Sequence, residues 1–234
     1  ILQQLTFPHP EPVDGSFLKQ DAESLQCLRK AEVEFAKLIL ETEREDELYQ
    51  YRQEWRLACL ANDPERQPEA EALCQTLLQQ NPTHTRVIIW AISRNYQINL
   101  SSCKNALEKS IEASANNIEQ ITVLLCLYLN ENNNQEALAL LEQKKNLFEQ
   151  QKLTIYWTFW HAQILVANGN TSEALQEVST LNNTHASRQL HTLILRAIAK
   201  QSNDWQSVVE YLETCFQESQ NAWFLYECCR LKAD

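Results

Sequence analysis

Residues 129–138 read Leu-Asn-Glu-Asn-Asn-Asn-Gln-Glu-Ala-Leu, and residues 166–175 read Val-Ala-Asn-Gly-Asn-Thr-Ser-Glu-Ala-Leu. Each stretch closes an apolar run, passes through a short Asn-rich or Asn-Gly turn, and opens a new amphipathic run. That is how one helix ends and the next begins. Asn133 with Glu136, and Asn170 with Glu173, have the spacing of a capping box. The two stretches lie 37 residues apart, so the unit is a helical hairpin that recurs.

Working outward, the pairs Ala72-Leu73, Ala106-Leu107, Ala137-Leu138, Ala174-Leu175 and Val208-Val209 continue the register, at spacings of 34, 31, 37 and 34 residues. Four residues before each pair stand Pro68, Ser102, Asn133, Asn170 and Asp204. Four of these are favoured N-caps, and proline suits a first helical turn. The register predicts second helices of hairpins over 68–80, 102–113, 133–146, 170–181 and 204–217. The preceding helices carry small or compact residues at Ala58, Ala91, Cys126, Ala162 and Ala197, which let neighbouring axes approach. Upstream, helices are expected over about Asp21–Glu41, with a stripe of Leu25, Leu28, Phe35, Leu38 and Ile39, and over about Glu43–Asn62. Residues 1–19, with Pro8, Pro10, Pro12 and Gly15, read as an extended arm, and residues 20–234 as a single helical repeat domain.

Composition agrees. The 234 residues contain only two glycines, Gly15 and Gly169, and strands with tight turns lean on glycine. Phosphate-cradling glycine loops are excluded on the same ground. The net charge is −11, with 16 acids against 8 bases in residues 1–72, a poor surface for nucleic acid. No apolar run is long enough to span a membrane. Cys27, Cys59, Cys74, Cys103, Cys126, Cys215, Cys228 and Cys229 show no small secreted framework, so reduced, mostly buried thiols and a cytoplasmic setting are expected. The adjacent Cys228-Cys229 reads as part of a terminal capping helix. His9, His84, His161, His185 and His191 lack metal-ligand spacing, so neither metal nor cofactor is expected. No methionine occurs, not even at position 1, so flanking domains are an open expectation.

The period and the small-residue placement resemble the tetratricopeptide repeat family over roughly residues 50–218. No unit carries the family's full W-x2-L-G-x2-Y pattern, and the closing proline is missing after most units, Pro82 coming two residues early, so HEAT, armadillo and irregular hairpin arrays stay open. The resemblance implies an all-α, right-handed α-solenoid of six or so hairpins, a non-catalytic scaffold or adaptor that binds a protein or peptide on its concave face. The alternative is a regulatory or substrate-recruiting segment of a larger enzyme or signalling protein. In the family's geometry, the inner face here would take in Trp55, Cys59, Ile88, Ile92, Val123, Leu127, Phe159, Gln163, Ile194 and Ile198, with Asn95 and Asn130 beside it as further partner contacts. Asn62, Asn95, Asn130 and Gln201 form either a polar ladder for an extended backbone or helix C-caps. Tyr156-Trp157-Thr158-Phe159-Trp160 is either inter-repeat packing or an aromatic wall for the partner. The sequence leaves the oligomeric state open.

Overall fold

The computed structural model describes residues 22–41, 47–114, 117–181 and 184–233. The expected arm over 1–19 and the charged run Glu43–Asp46 lie outside them. Among the described residues there are twelve α-helices, one 3₁₀ turn and no strand. The helices are α1 (Ala22–Leu40), α2 (Glu47–Ala61), α3 (Gln67–Gln80), α4 (Thr85–Ser93), α5 (Ser101–Ala113), α6 (Ile118–Asn130), α7 (Asn134–Gln150), α8 (Thr154–Ala167), α9 (Thr171–Ser179), α10 (His185–Ser202), α11 (Gln206–Ser219) and α12 (Ala222–Ala233). The 3₁₀ turn is Pro64–Arg66. The five expected second helices are α3, α5, α7, α9 and α11, each separate from the helix before it.

The turns repeat closely. Asn95, Asn132 and Gly169 all have positive φ, at 53°, 58° and 82°. The next amide in each case bonds back five residues: Tyr96 to the Ala91 carbonyl, Asn133 to Tyr128 and Asn170 to Leu165, at 3.0, 2.8 and 2.8 Å. This left-handed cap satisfies carbonyls that a helix end would otherwise leave unpaired. The same 37-residue step therefore recurs twice as one backbone geometry. The expected capping boxes are absent, because neither Asn133 nor Asn170 caps with its side chain. A capping box is found instead at Thr184 and Ser187. Ser102 lies inside α5, where the Asn99 side chain accepts from the Ser101 amide at 3.0 Å. Asp204 does accept from the Ser207 hydroxyl, at 2.7 Å, ahead of α11.

The second helices bury a repeating i, i+4 pair: Ala70/Cys74, Cys103/Leu107, Ala137/Leu141, Ala174/Val178 and Val208/Leu212, all at 2% exposure or less. In the first two units the register differs from the Ala-Leu pairs read in the sequence. Ala72 is exposed and Ala106 only half-buried, while Ala70 and Cys103 take the core position. A dipeptide match is not a burial match; what selects the buried residue is its place relative to the start of the helix.

The chain falls into two compact units, Ile1–Val123 and Leu124–Asp234, the boundary lying inside α6. In the first, α2 packs between α1 and α3, and α3 against α4. In the second, α8 packs on α7, α9 and α10, α10 also on α9 and α11, and α11 on α12. Side-chain bonds within each unit join residues roughly one hairpin apart. In the first these are Arg29–Asp63, Arg66–Glu32, Arg86–Glu54 and Arg94–Asn62, separated by 34, 34, 32 and 32 residues. In the second they include Asn134–Asn168 and Gln201 to the Val166 carbonyl, separated by 34 and 35, and Arg188–Glu218 and Arg196–Glu227, separated by 30 and 31.

Candidate protein-docking surface

Helix α2 has two faces of different character. Leu57, Leu60 and Ala61 are buried, at 2% exposure or less. Leu48, Tyr51 and Trp55 occupy positions i, i+3 and i+7, and so share another face; all three are exposed, Trp55 at 46%. On α1, Phe35 and Leu38 fall one turn apart. Phe35 is half-buried and Leu38 is exposed. The Phe35 and Trp55 rings stack at 6.1 Å with 17° between planes, and Tyr51 meets Trp55 edge-on at 6.0 Å. Three aromatic rings from two helices thus form one surface strip.

Polar braces hold the two helices that carry the strip. Arg52 donates to the Leu38 carbonyl at 3.1 Å. The buried Glu32 of α1 accepts from Arg56 at 2.8 Å and from Arg66 at 2.9 Å. Burial would raise the Glu32 pKa, but the two guanidinium hydrogen bonds outweigh it and hold the carboxyl below its ordinary value. Arg29 donates to Asp63 at 2.7 Å and to Glu65 at 2.6 Å. That bond also holds the Asp63 carboxyl below its usual range. Charge pairs that leave water only when satisfied make a stiff mount.

The twelve residues singled out in the sequence separate into three groups. Ile88, Val123, Leu127, Phe159 and Ile194 are core residues, all at 4% exposure or less, and a partner docked on the folded chain does not reach them. Ile92, Tyr156, Gln163 and Ile198 are half-buried; Trp55, Asn95 and Asn130 are exposed. Asn95 takes the left-handed cap conformation, and Asn62 is engaged within the chain, donating to the Ala58 carbonyl and accepting from Arg94. Gln201 is likewise bonded to Val166.

The aromatic run on α8 is largely packing. Phe159 and Trp160 meet edge-on at 5.3 Å. Trp157 donates to the Leu141 carbonyl at 3.3 Å and stacks on His161 at 4.9 Å, with the Lys145 ammonium 4.5 Å over its ring. His161 in turn bonds Glu177 at 2.8 Å. All eight cysteines are free thiols, six of them buried or half-buried. Burial pushes the Cys74 and Cys126 thiols up to about 12, which leaves them inert.

Phe35, Leu38, Leu48 and Tyr51 were not among the expected site residues. The signal for Leu48 and Tyr51 was present, since both lie at helical spacing before Trp55. Phe35 and Leu38 belong to the apolar stripe expected of the first helix. No helix of the described residues is long and apolar enough to cross a membrane. Comparison with family models, curated proteins and solved structures returns no match.

Proposed function

We propose that this chain is a tetratricopeptide-like helical-repeat scaffold, without catalysis of its own, whose α1–α2 aromatic strip docks a partner protein. The observation that carries the reading is the exposure of Tyr51 and Trp55 beside Phe35 on a braced helix pair. Exposed aromatic clusters on folded domains are commonly interaction sites, because such rings bury much area at little entropic cost. The hydrogen bonds between residues 32 to 35 apart, and the turns repeated at 37 residues, support the repeat reading. A reducing, cytoplasmic setting belongs to the same proposal and is supported by the eight free thiols.

The test is a selection of displayed peptides on the folded chain, followed by affinity measurements on the Tyr51→Ala/Trp55→Ala variant. Peptides that bind through the strip lose about 1–3 kcal/mol of affinity in the variant, the scale of a hot-spot truncation. Selected peptides that bind both forms equally well would sink the assignment.

A further inference from the structure

One of the three repeated turns carries chemistry that the other two lack. Asn168 stands directly before Gly169, the left-handed residue of the α8–α9 turn, whereas Arg94 and Glu131 stand before Asn95 and Asn132 in the equivalent places. Asn168 is also the only asparagine in the sequence followed by glycine. An asparagine so placed can react with its own backbone, because the next amide nitrogen is positioned to attack the side-chain carboxamide carbon. A side chain on that next residue would shield the nitrogen. Gly169 has none, and no atom beyond its chain neighbours lies within 4 Å of where a Cβ would sit. Asn168 is exposed, so water reaches the carboxamide.

The folded turn restrains both reacting groups. The Gly169 amide donates to the Val166 carbonyl at 2.9 Å. Asn168 sits at φ −87° and ψ 0°. A five-membered ring closes only once ψ rotates away from 0° and brings the nitrogen beside the side chain, and that rotation breaks the bond to Val166. The carboxamide is held as well. Asn168 Oδ1 accepts from Asn134 Nδ2 at 3.0 Å, a bond from the first residue of α7 to the C-cap of α8. Asn134 Oδ1 is buried without a partner, so its carboxamide is engaged through this donor.

We infer that Asn168 is a site of spontaneous deamidation, reached by opening of the α8–α9 turn, and that Asn134 is the latch that slows it. Water is the only co-reactant. With its proton lost to hydroxide, the Gly169 nitrogen bonds to Asn168 Cγ, the Cγ–Nδ2 bond breaks, and the side-chain nitrogen takes a proton from water and leaves as ammonia. The succinimide so formed adds water at either carbonyl. Opening at Cγ leaves aspartate, which adds a negative charge. Opening at the main-chain carbon leaves isoaspartate, which adds the same charge and routes the backbone through Cβ and Cγ. The carbonyl that Asn134 holds then becomes backbone, and the turn gains one atom between Leu165 and the Asn170 amide that bonds to it. The inference is independent of the α1–α2 strip.

The test follows the intact chain in mildly alkaline buffer by peptide mass mapping, with fragmentation that separates aspartate from isoaspartate. Asn168 converts ahead of the other asparagines, and more slowly than in the same chain unfolded in urea. Asn134→Ala speeds conversion in the folded chain about three- to tenfold, the effect of one lost side-chain hydrogen bond on a local opening, and leaves the rate in urea unchanged. Gln135→Ala, at the exposed neighbouring position, alters neither rate. Asn134→Leu, which keeps the side chain's shape without its amide, gives the same acceleration and serves if the alanine variant does not fold. Another asparagine converting first would overturn the site. A folded-state rate equal to that in urea, or equal rates for the parent and both Asn134 variants, would overturn the latch.

Discussion

Helix α8 places Phe159 and Trp160 in the core, at 4% and 7% exposure, whereas α2 leaves Tyr51 and Trp55 at 49% and 46%. Both helices are rich in aromatics; what differs is the company they keep. Helix α8 packs on α7, α9 and α10, and its sequence carries no Asp, Glu, Lys or Arg. Helix α2 carries Glu47, Arg52, Glu54 and Arg56 among its aromatics, and of the helices it packs on α1 and α3. A helix apolar on all sides has to be enclosed, while one with interleaved charges can leave a face in water. An aromatic residue therefore reports an interaction surface only when the residues around it are hydrated.

The largest expected effect breaks or upholds this contrast directly. Phe159→Ala should cost about 3–5 kcal/mol in urea unfolding, through the cavity it leaves. Trp55→Ala should cost about 1 kcal/mol or less, mainly the lost ring pairing. If the Trp55 change costs as much as the Phe159 change, the strip is core and the docking proposal falls with it.

The same contrast holds for charge. Arg196 and Glu227 pair at 3.0 Å, with side chains 5% and 3% exposed, whereas Lys37 and Glu34 pair in water. Glu227→Ala should destabilise the chain by about 3–5 kcal/mol, because a buried guanidinium loses its partner. Glu34→Ala should leave the unfolding midpoint where it is.

A milder effect comes from pH. Burial lowers the pKa of His191, whose ring lies 4.3 Å from that of Tyr211. Below the unfolded-state value of about 6.5 the unfolded chain then binds more protons than the folded one. The stability this imidazole contributes is complete above that value, and is lost as the pH falls through the lower folded value. Thermal melts between pH 7 and pH 5 should show a smaller decline for His191→Phe than for the parent chain. Identical declines would show that the ring titrates as it does in water.

The smallest effects concern the repeated turn. Gly169 has a φ of 82° with open space where a Cβ would sit, so Gly169→Ala should cost about 1 kcal/mol through backbone conformation alone. Asn132 holds the equivalent place at 58°, and Asn132→Gly should be neutral or stabilising by less than about 1 kcal/mol. A loss on replacing Asn132 would show that its side chain matters to the turn.

Much of the helix plan was legible because the turns announce themselves. The Asn-rich and Asn-Gly stretches, proline at the start of α3 and the scarcity of glycine place the second helices within a few residues of where they lie. Side-chain roles were less legible. Asn133 looks like a cap, but the backbone bond from Asn133 to Tyr128 shapes that turn, and its side chain turns to Glu131. Ala72 looks like a core residue because leucine follows it, yet helix phase puts Ala70 inside. The candidate surface was legible on α2, where Leu48 and Tyr51 lie at helical spacing before Trp55, but not on α1, since whether Phe35 and Leu38 face a neighbour or water depends on contacts that the local pattern does not encode.

The longest-range cross-helix bonds close loops of only 30 to 36 residues, as in Arg188–Glu218, Arg196–Glu227 and the contact between Asn221 and His185. Loops of that size form cheaply, and a chain whose contacts are mostly this local has little to search for. Folding should therefore be fast and should propagate hairpin by hairpin, with no obligatory meeting of distant segments. The cost lies in cooperativity. Each hairpin leans chiefly on its immediate neighbours, so damage in one helix pair, such as loss of Glu227, should register first as faster amide exchange in α10–α12, well before the α1–α3 region loses its protection.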